Sequence, residues 1–214
     1  MDAKDVAQFL KTNPQFFDQH PQLLESIYVP HPHGGRAIPL TERQIVSLRE
    51  KVRLLEGKLG EFVRFGEDND AIGEKVHRLS LALLSAKDFA GTAHALYFHL
   101  REDFAVPHVA LRVWGKSLPD GTVEGAPVEA ELRDQAEGMG APVCGPAAGN
   151  PFLPWFREAG EHIRSVALVP LGQTKTMGLL ALGSEDPQRF FAEMGSLYLR
   201  RIGELTAGAL AART

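Results

Sequence analysis

Cysteine is nearly missing from this chain. Cys144 is the only one in 214 residues, which excludes an internal disulfide framework and any zinc cluster built on thiolates of one chain. Long apolar runs are missing too. No stretch approaches the ~18 consecutive apolar residues of a membrane-spanning helix, so no membrane partner is expected. There is no excess of basic residues either: 23 Lys and Arg stand against 27 Asp and Glu, a formal charge of -4. That balance leaves no footprint for wholesale nucleic-acid binding. The opening Met1-Asp2-Ala3-Lys4-Asp5-Val6 has no cationic stretch leading into an apolar one, so no secretory signal is expected and the cytoplasm is the expected compartment. Hydrophobic residues at 44% and charged residues at 23% are nevertheless those of a chain able to close a core.

What is present divides into three textures: a short-helix segment over residues 1–40, a long helix with a hinge over 41–70, and an α+β domain over 71–214. The first segment repeats a seven-residue phrase, Pro14-Gln15-Phe16-Phe17-Asp18 and Pro21-Gln22-Leu23-Leu24-Glu25. Each proline suits the first turn of a helix, where a missing N–H costs nothing, and Asn13 is a suitable cap. Two or three short helices burying Phe9, Leu10, Phe16, Phe17, Leu23, Leu24 and Ile27 are expected. Pro30-His31-Pro32-His33-Gly34-Gly35 then reads as a loop.

Thr41-Glu42-Arg43-Gln44 fits a capping box. Behind it Ile45, Leu48, Val52, Leu55, Leu59 and Phe62 alternate steps of three and four. This is a heptad seam with Ile45, Val52 and Leu59 at position a and the others at d, and it predicts a homodimer through a coiled coil. The pattern fails at Gly66-Glu67-Asp68-Asn69-Asp70 and restarts out of phase at Ile72, Val76, Leu79 and Leu83, which predicts a hinge or stutter.

Beyond it, Asp88 caps a helix ending near Phe104, and Val106-Pro107 turns into a strand over His108 to Trp114. A turn at Pro119-Asp120-Gly121 is expected to return a second strand. Further expectations are a short helix over Val128 to Glu137, a short strand around Cys144, and a hairpin of Ser165 to Leu171 with Met177 to Gly183. A closing helix is expected over Gln188 to Ala211. This order implies an antiparallel sheet with helices on its faces.

Several stretches together resemble the bacterial domain-of-unknown-function family 484: Pro30-His31-Pro32-His33-Gly34, Leu40-Thr41-Glu42-Arg43-Gln44, Asn69 to Leu84, Arg101-Glu102-Asp103-Phe104, Gly178-Leu179-Leu180-Ala181-Leu182-Gly183-Ser184, and Asp186-Pro187-Gln188-Arg189-Phe190 through Arg201-Ile202-Gly203-Glu204-Leu205. The resemblance implies a GAF-like fold behind an N-terminal helical extension. It carries no activity or catalytic residue with it.

The chemical motifs are sparse. His31-Pro32-His33, with His20 nearby, has no third ligand at a fixed spacing, so no metal site is assigned. Lys175-Thr176 follows Thr174 where a phosphate-binding loop needs glycine, and neither a Gly-x-Gly-x-x-Gly fingerprint nor a Gly-x-Ser-x-Gly elbow occurs. Cys144 allows a redox or covalent-attachment role, but a reductase of the GAF type needs a second, resolving thiol, and a lone cysteine more often serves as a small buried hydrophobe. A GAF-like fold would gather Trp114, Cys144, Phe152, Trp155 and Phe156, with Arg112 and Asn150, into either a small-molecule pocket or a filled core. The expected function is a non-enzymatic sensory or regulatory module, with a small-molecule ligand or a protein partner and an output through another protein. The alternatives are a structural adaptor with a filled fold and a redox protein built on Cys144.

Overall fold

The computed structural model describes residues 2–29, 38–115, 118, 121–172 and 175–213, and the chain divides into two compact units, Met1–Glu67 and Asp68–Thr214. In the first unit, helix α1 (Ala3–Thr12) starts at a capping box: the Asp2 carboxylate accepts from Lys4 N and Asp5 N at 2.7 and 2.9 Å, and Asp5 accepts from Asp2 N. Asn13 ends this helix rather than beginning the next. Helix α2 (Phe16–Gln19) and helix α3 (Pro21–Ser26) follow, with Pro21 in the first turn as its missing N–H allows. The expected helices form, but the expected burial does not. Phe9 is 50% exposed, Ile27 is exposed, and Leu10, Phe16, Phe17, Leu23 and Leu24 are half-buried. Phe9, Phe16 and Phe17 pack edge-on at 5.8 and 5.5 Å, too few rings to close a core on their own. Strands β1 (Tyr28–Val29) and β2 (Ile38–Pro39) form a two-residue antiparallel ladder that the sequence reading did not anticipate. The expected loop with His31 and His33 lies outside the described residues.

Helix α4 (Leu40–Ser85) has 46 residues and begins one residue before Thr41, which is therefore helical and not the cap. It also runs without a break through Gly66–Asp70, where a hinge was expected. A single helical glycine costs only about 1 kcal/mol, and residues 66 to 70 are all exposed, so nothing there opposes the helix. The phase change is real nonetheless: Ile45, Leu48, Val52, Leu55, Leu59 and Phe62 are between 49% and 68% exposed, whereas Val76, Leu79 and Leu83 are buried in the second unit.

The second unit is α+β. Helix α5 (Phe89–Glu102) is capped by Asp88, whose carboxylate accepts from Gly91 N at 2.7 Å. Strands β3 (His108–Val113), β4 (Val143–Pro146), β5 (Ser165–Leu171) and β6 (Gly178–Ser184) form one antiparallel sheet in the order β3-β6-β5-β4, so β3 and β4 are its edges. Helix α6 (Ala130–Glu137) precedes β4, and helix α7 (Leu197–Ala211) closes the chain. One face of the sheet carries Leu111, Val113, Val169, Leu180 and Leu182 against Leu79, Leu96, Leu100 and Leu210 of the helices. The other carries Ala110, Trp114, Val166, Leu168 and Ala181 against Phe152, Phe156 and Ile163. Gly178 permits the β3–β6 approach, since a Cβ there would stand 2.5 Å from the Arg112 carbonyl oxygen.

Two expected elements differ. No strand returns after Gly121; Val123–Gly125 forms a 3-10 turn instead. The closing helix starts at Leu197, not Gln188, because the preceding turns are held from elsewhere: Ser165 Oγ donates to Asp186 O and accepts from Phe190 N, which brings Phe190 into the core. Among the described residues no helix is long and apolar enough to cross a membrane.

Asp103 ties α4 to the end of α5. It accepts from Arg78 Nη2 at 2.9 Å and pairs with His99 Nδ1 at 2.5 Å, and these hydrogen bonds, Arg78's first, hold its carboxyl below the usual carboxylate range. A lowered folded-state pKa stabilises the native state above the unfolded value and is lost as pH falls through the folded one. Asp103→Asn is therefore expected to lower the melting temperature at pH 7, and the gap to the wild type should narrow as the pH falls below the ordinary carboxylate value of ~4 and close only below the still lower folded-state value, where both states bind the proton. Thermal melts across pH 3–8 measure it.

Candidate functional site

The edge strand β3 alternates His108, Ala110 and Arg112 onto the second face of the sheet, and the 3-10 segment Leu153–Glu161 lies over them. Between the two is a cavity of about 420 Å³, completed by Tyr97 and Arg101 of α5 and by Val123 and Glu124 of the 3-10 turn. Its size is at the lower end of the ~300–1,000 Å³ usual for small-molecule sites.

Arg112 is its central group. The guanidinium is half-buried, donates from Nη1 to Leu111 O at 2.8 Å, and has its Cζ 5.4 Å from the centre of the Trp155 ring. Burial lowers its pKa, opposed by the nearby Tyr97 and Glu124. Tyr97 Oη donates to Glu124 Oε1 at 2.8 Å, and burial, then this bond, raises the phenol far above its ordinary value. Arg157, across the cavity, has φ 55° and ψ -133°, a left-handed backbone conformation that costs a non-glycine residue on the order of 1–3 kcal/mol. His108 Nε2 is buried without a hydrogen-bond partner among the described residues; Glu185 Oε1 is 3.6 Å away, beyond hydrogen-bond length.

Of the residues singled out from the sequence, Arg112, Trp155 and Phe156 line this cavity. Phe152 is 0% exposed and fills the core beneath it, edge-on to Trp155 at 5.0 Å. Asn150 holds a turn, its side chain accepting from Phe152 N. Trp114 shares the sheet face but points to α6, where Nε1 donates to Glu137 Oε1 at 3.0 Å and Arg133 lies 5.8 Å from its ring. Cys144 is not with them. It pairs with Ala167 across β4 and β5, and both pack on the first face, because directly opposed residues share a face. Burial raises the Cys144 thiol pKa, so little thiolate is present at neutral pH. The sequence reading missed Tyr97, Arg101, His108, Glu124 and Arg157. His108 was within reach, since it lies two and four residues from Ala110 and Arg112 on one strand. Among the described residues no group of three or more His, Cys, Asp or Glu is placed to hold a metal ion.

The family model described as "Protein of unknown function, DUF484" matches residues 1–212. The "Uncharacterized protein YigA" of Salmonella typhimurium strain LT2 is 24% identical over 94% of this chain and 88% of its own length. Its namesake in Escherichia coli strain K12 is 25% identical over the same shares. Among solved structures, a GAF domain of A. Aeolicus nlh2 in an inactive state aligns with a TM-score of 0.46 and 14% identity, over 68% of this chain and 99% of that one. The free methionine-R-sulfoxide reductase from Neisseria meningitidis, in complex with its substrate, aligns with a TM-score of 0.45 and 20% identity, over 66% and 89%.

Proposed function

Because the chain belongs to the DUF484 family, whose description carries no activity, we propose from its own geometry that it is a non-enzymatic regulatory module. It binds a small molecule in the cavity over β3, works in the cytoplasm as a homodimer joined through α4, and passes its state to a protein partner. The observation that carries this reading is Arg112: a half-buried guanidinium, laid on Trp155 and facing a cavity, that makes no ion pair among the described residues. Burying such a group is costly unless something pairs with it. The exposed heptad seam of α4 supports the dimer, since that many large apolar side chains in one stripe suits a helical partner. The raised thiol of Cys144 gives the redox alternative no support. The adaptor alternative is favoured by one feature, the close packing of Trp114 and Phe152, which fills the interior where a deeper pocket was expected.

A compound that binds only the folded protein adds RT ln(1 + [L]/Kd), about 2.7 kcal/mol at a hundredfold excess over Kd. Trp155 lines the cavity and Trp114 does not, so binding is expected to change tryptophan emission and to raise the melting temperature, with Trp155→Phe removing the optical change. Native mass spectrometry of freshly purified protein, followed by a broad metabolite screen, tests it. No bound mass and no compound moving either quantity would leave the adaptor as the better account.

A further inference from the structure

The charge of the cavity narrows what it takes, and this step rests on the small-molecule reading above. Arg101, Arg112 and Arg157 all line it, and none of them makes an ion pair among the described residues. The carboxylate in the lining, Glu124, already accepts from Tyr97. Three guanidinium groups, Arg112 half-buried and Arg101 and Arg157 exposed, therefore line the cavity with one carboxylate. A guanidinium offers five N–H donors in a rigid fork, and Arg112 commits one of its own, to Leu111 O. Arg112 and Arg157 also repel each other, and the backbone of Arg157 is strained where it borders the cavity. Strain of this kind concentrates where a ligand is clamped. Beside the cations, Ala110, Val123 and Phe156 give the cavity an apolar wall.

We infer that the cavity binds a small organic anion, its carboxylate or phosphate gripped by Arg112 and Arg157 and its apolar body resting on Ala110, Val123 and Phe156. Forked pairing of guanidinium with either acid group supplies the hydrogen bonds that the lining leaves unmade, and it neutralises the like-charge repulsion. A neutral ligand of the same shape does neither.

The test uses the full chain with three probes of one size: benzoate, phenyl phosphate and the uncharged benzamide. Benzoate or phenyl phosphate is expected to raise the melting temperature and change Trp155 emission, while benzamide leaves both unmoved. Whichever of the two anions binds more tightly identifies the acid group. Arg112→Gln is expected to weaken anion binding at least tenfold. Should that variant fold poorly, Arg157→Gly serves: it removes a cation and the strained conformation together, so it should melt no lower than the wild type and yet lose anion affinity. Benzamide binding as well as benzoate, or anions binding both variants unchanged, overturns the inference and leaves the small-molecule reading standing. If no compound of any charge in the broad screen binds the wild type, that reading fails, and the inference with it.

Discussion

Phe152→Ala is expected to destabilise the second unit by about 3–5 kcal/mol, the usual cost of truncating a buried aromatic ring. The ring is 0% exposed in the core beneath the candidate site and packs edge-on against Trp155, so its removal costs both transfer free energy and the cavity left behind. Collapse around that void is restricted from two sides. Asn150 fixes the backbone of residue 152 through its side-chain bond, and the opposing wall is the central strand pair β5 and β6. At a urea m-value of ~2 kcal/mol/M, the unfolding midpoint should fall by roughly 2 M. Phe156→Ala, at a residue that lines the cavity, should cost less because part of its void already opens there. Tryptophan-detected urea melts measure both. A loss under ~1 kcal/mol for Phe152→Ala would mean that the second core unfolds apart from the first.

The main lines of this fold were legible because their signals are local. Short apolar runs bounded by turn residues located β3, β5 and β6 to within a residue at each end, and Asp88 announced α5 through a cap that the structure reproduces. Two of the misreadings share a cause: the deciding contact is distant in sequence. Residues 188 to 196 carry helix-compatible residues but are turned by Ser165, and Cys144 takes its face from Ala167. At Gly66 to Asp70 the failing heptad pattern marks a hinge or stutter; the change of phase is there but the hinge is not, because exposed polar residues and one glycine do not end a helix already propagating on both sides. The candidate site was half visible. Arg112, Trp155 and Phe156 stood out as a cation among rings near one strand, whereas Tyr97 and Glu124 join it only by a hydrogen bond spanning 27 residues. Arg157 joins through a backbone conformation that favours glycine and that nothing in its neighbours announces.

Leu55→Asp is expected to convert a micromolar dimer into monomers. With Ile45 and Val52 at a and Leu48 and Leu55 at d, the α4 seam has the β-branched and γ-branched alternation that favours two parallel strands. In that register Leu55 meets its own counterpart near the middle of the seam. Burying a leucine side chain is worth ~1.5–3 kcal/mol, and the variant forfeits two of them while facing one carboxylate with another. The burial loss alone is ~3–6 kcal/mol, about a hundredfold to ten-thousandfold in the dissociation constant. Lys51 at g opposite Glu56 at e adds at most ~1 kcal/mol, so charges at the rim do not rescue it. Gly57 and Gly60 fall at f and b, away from the seam, and nothing approaches within 4 Å of a Cβ built at either. Gly57→Ala should thus strengthen the helix by up to ~1 kcal/mol and keep the dimer, separating helix propensity from seam contacts. Sedimentation velocity at 1–50 µM, an order-of-magnitude range around the expected dissociation constant, reads all three proteins. A wild type that is monomeric throughout would remove the coiled-coil dimer. A Leu55→Asp protein that remains dimeric would move the interface off this seam, and Leu81 and Leu84, which α4 exposes beyond the phase change, would be the next residues to replace.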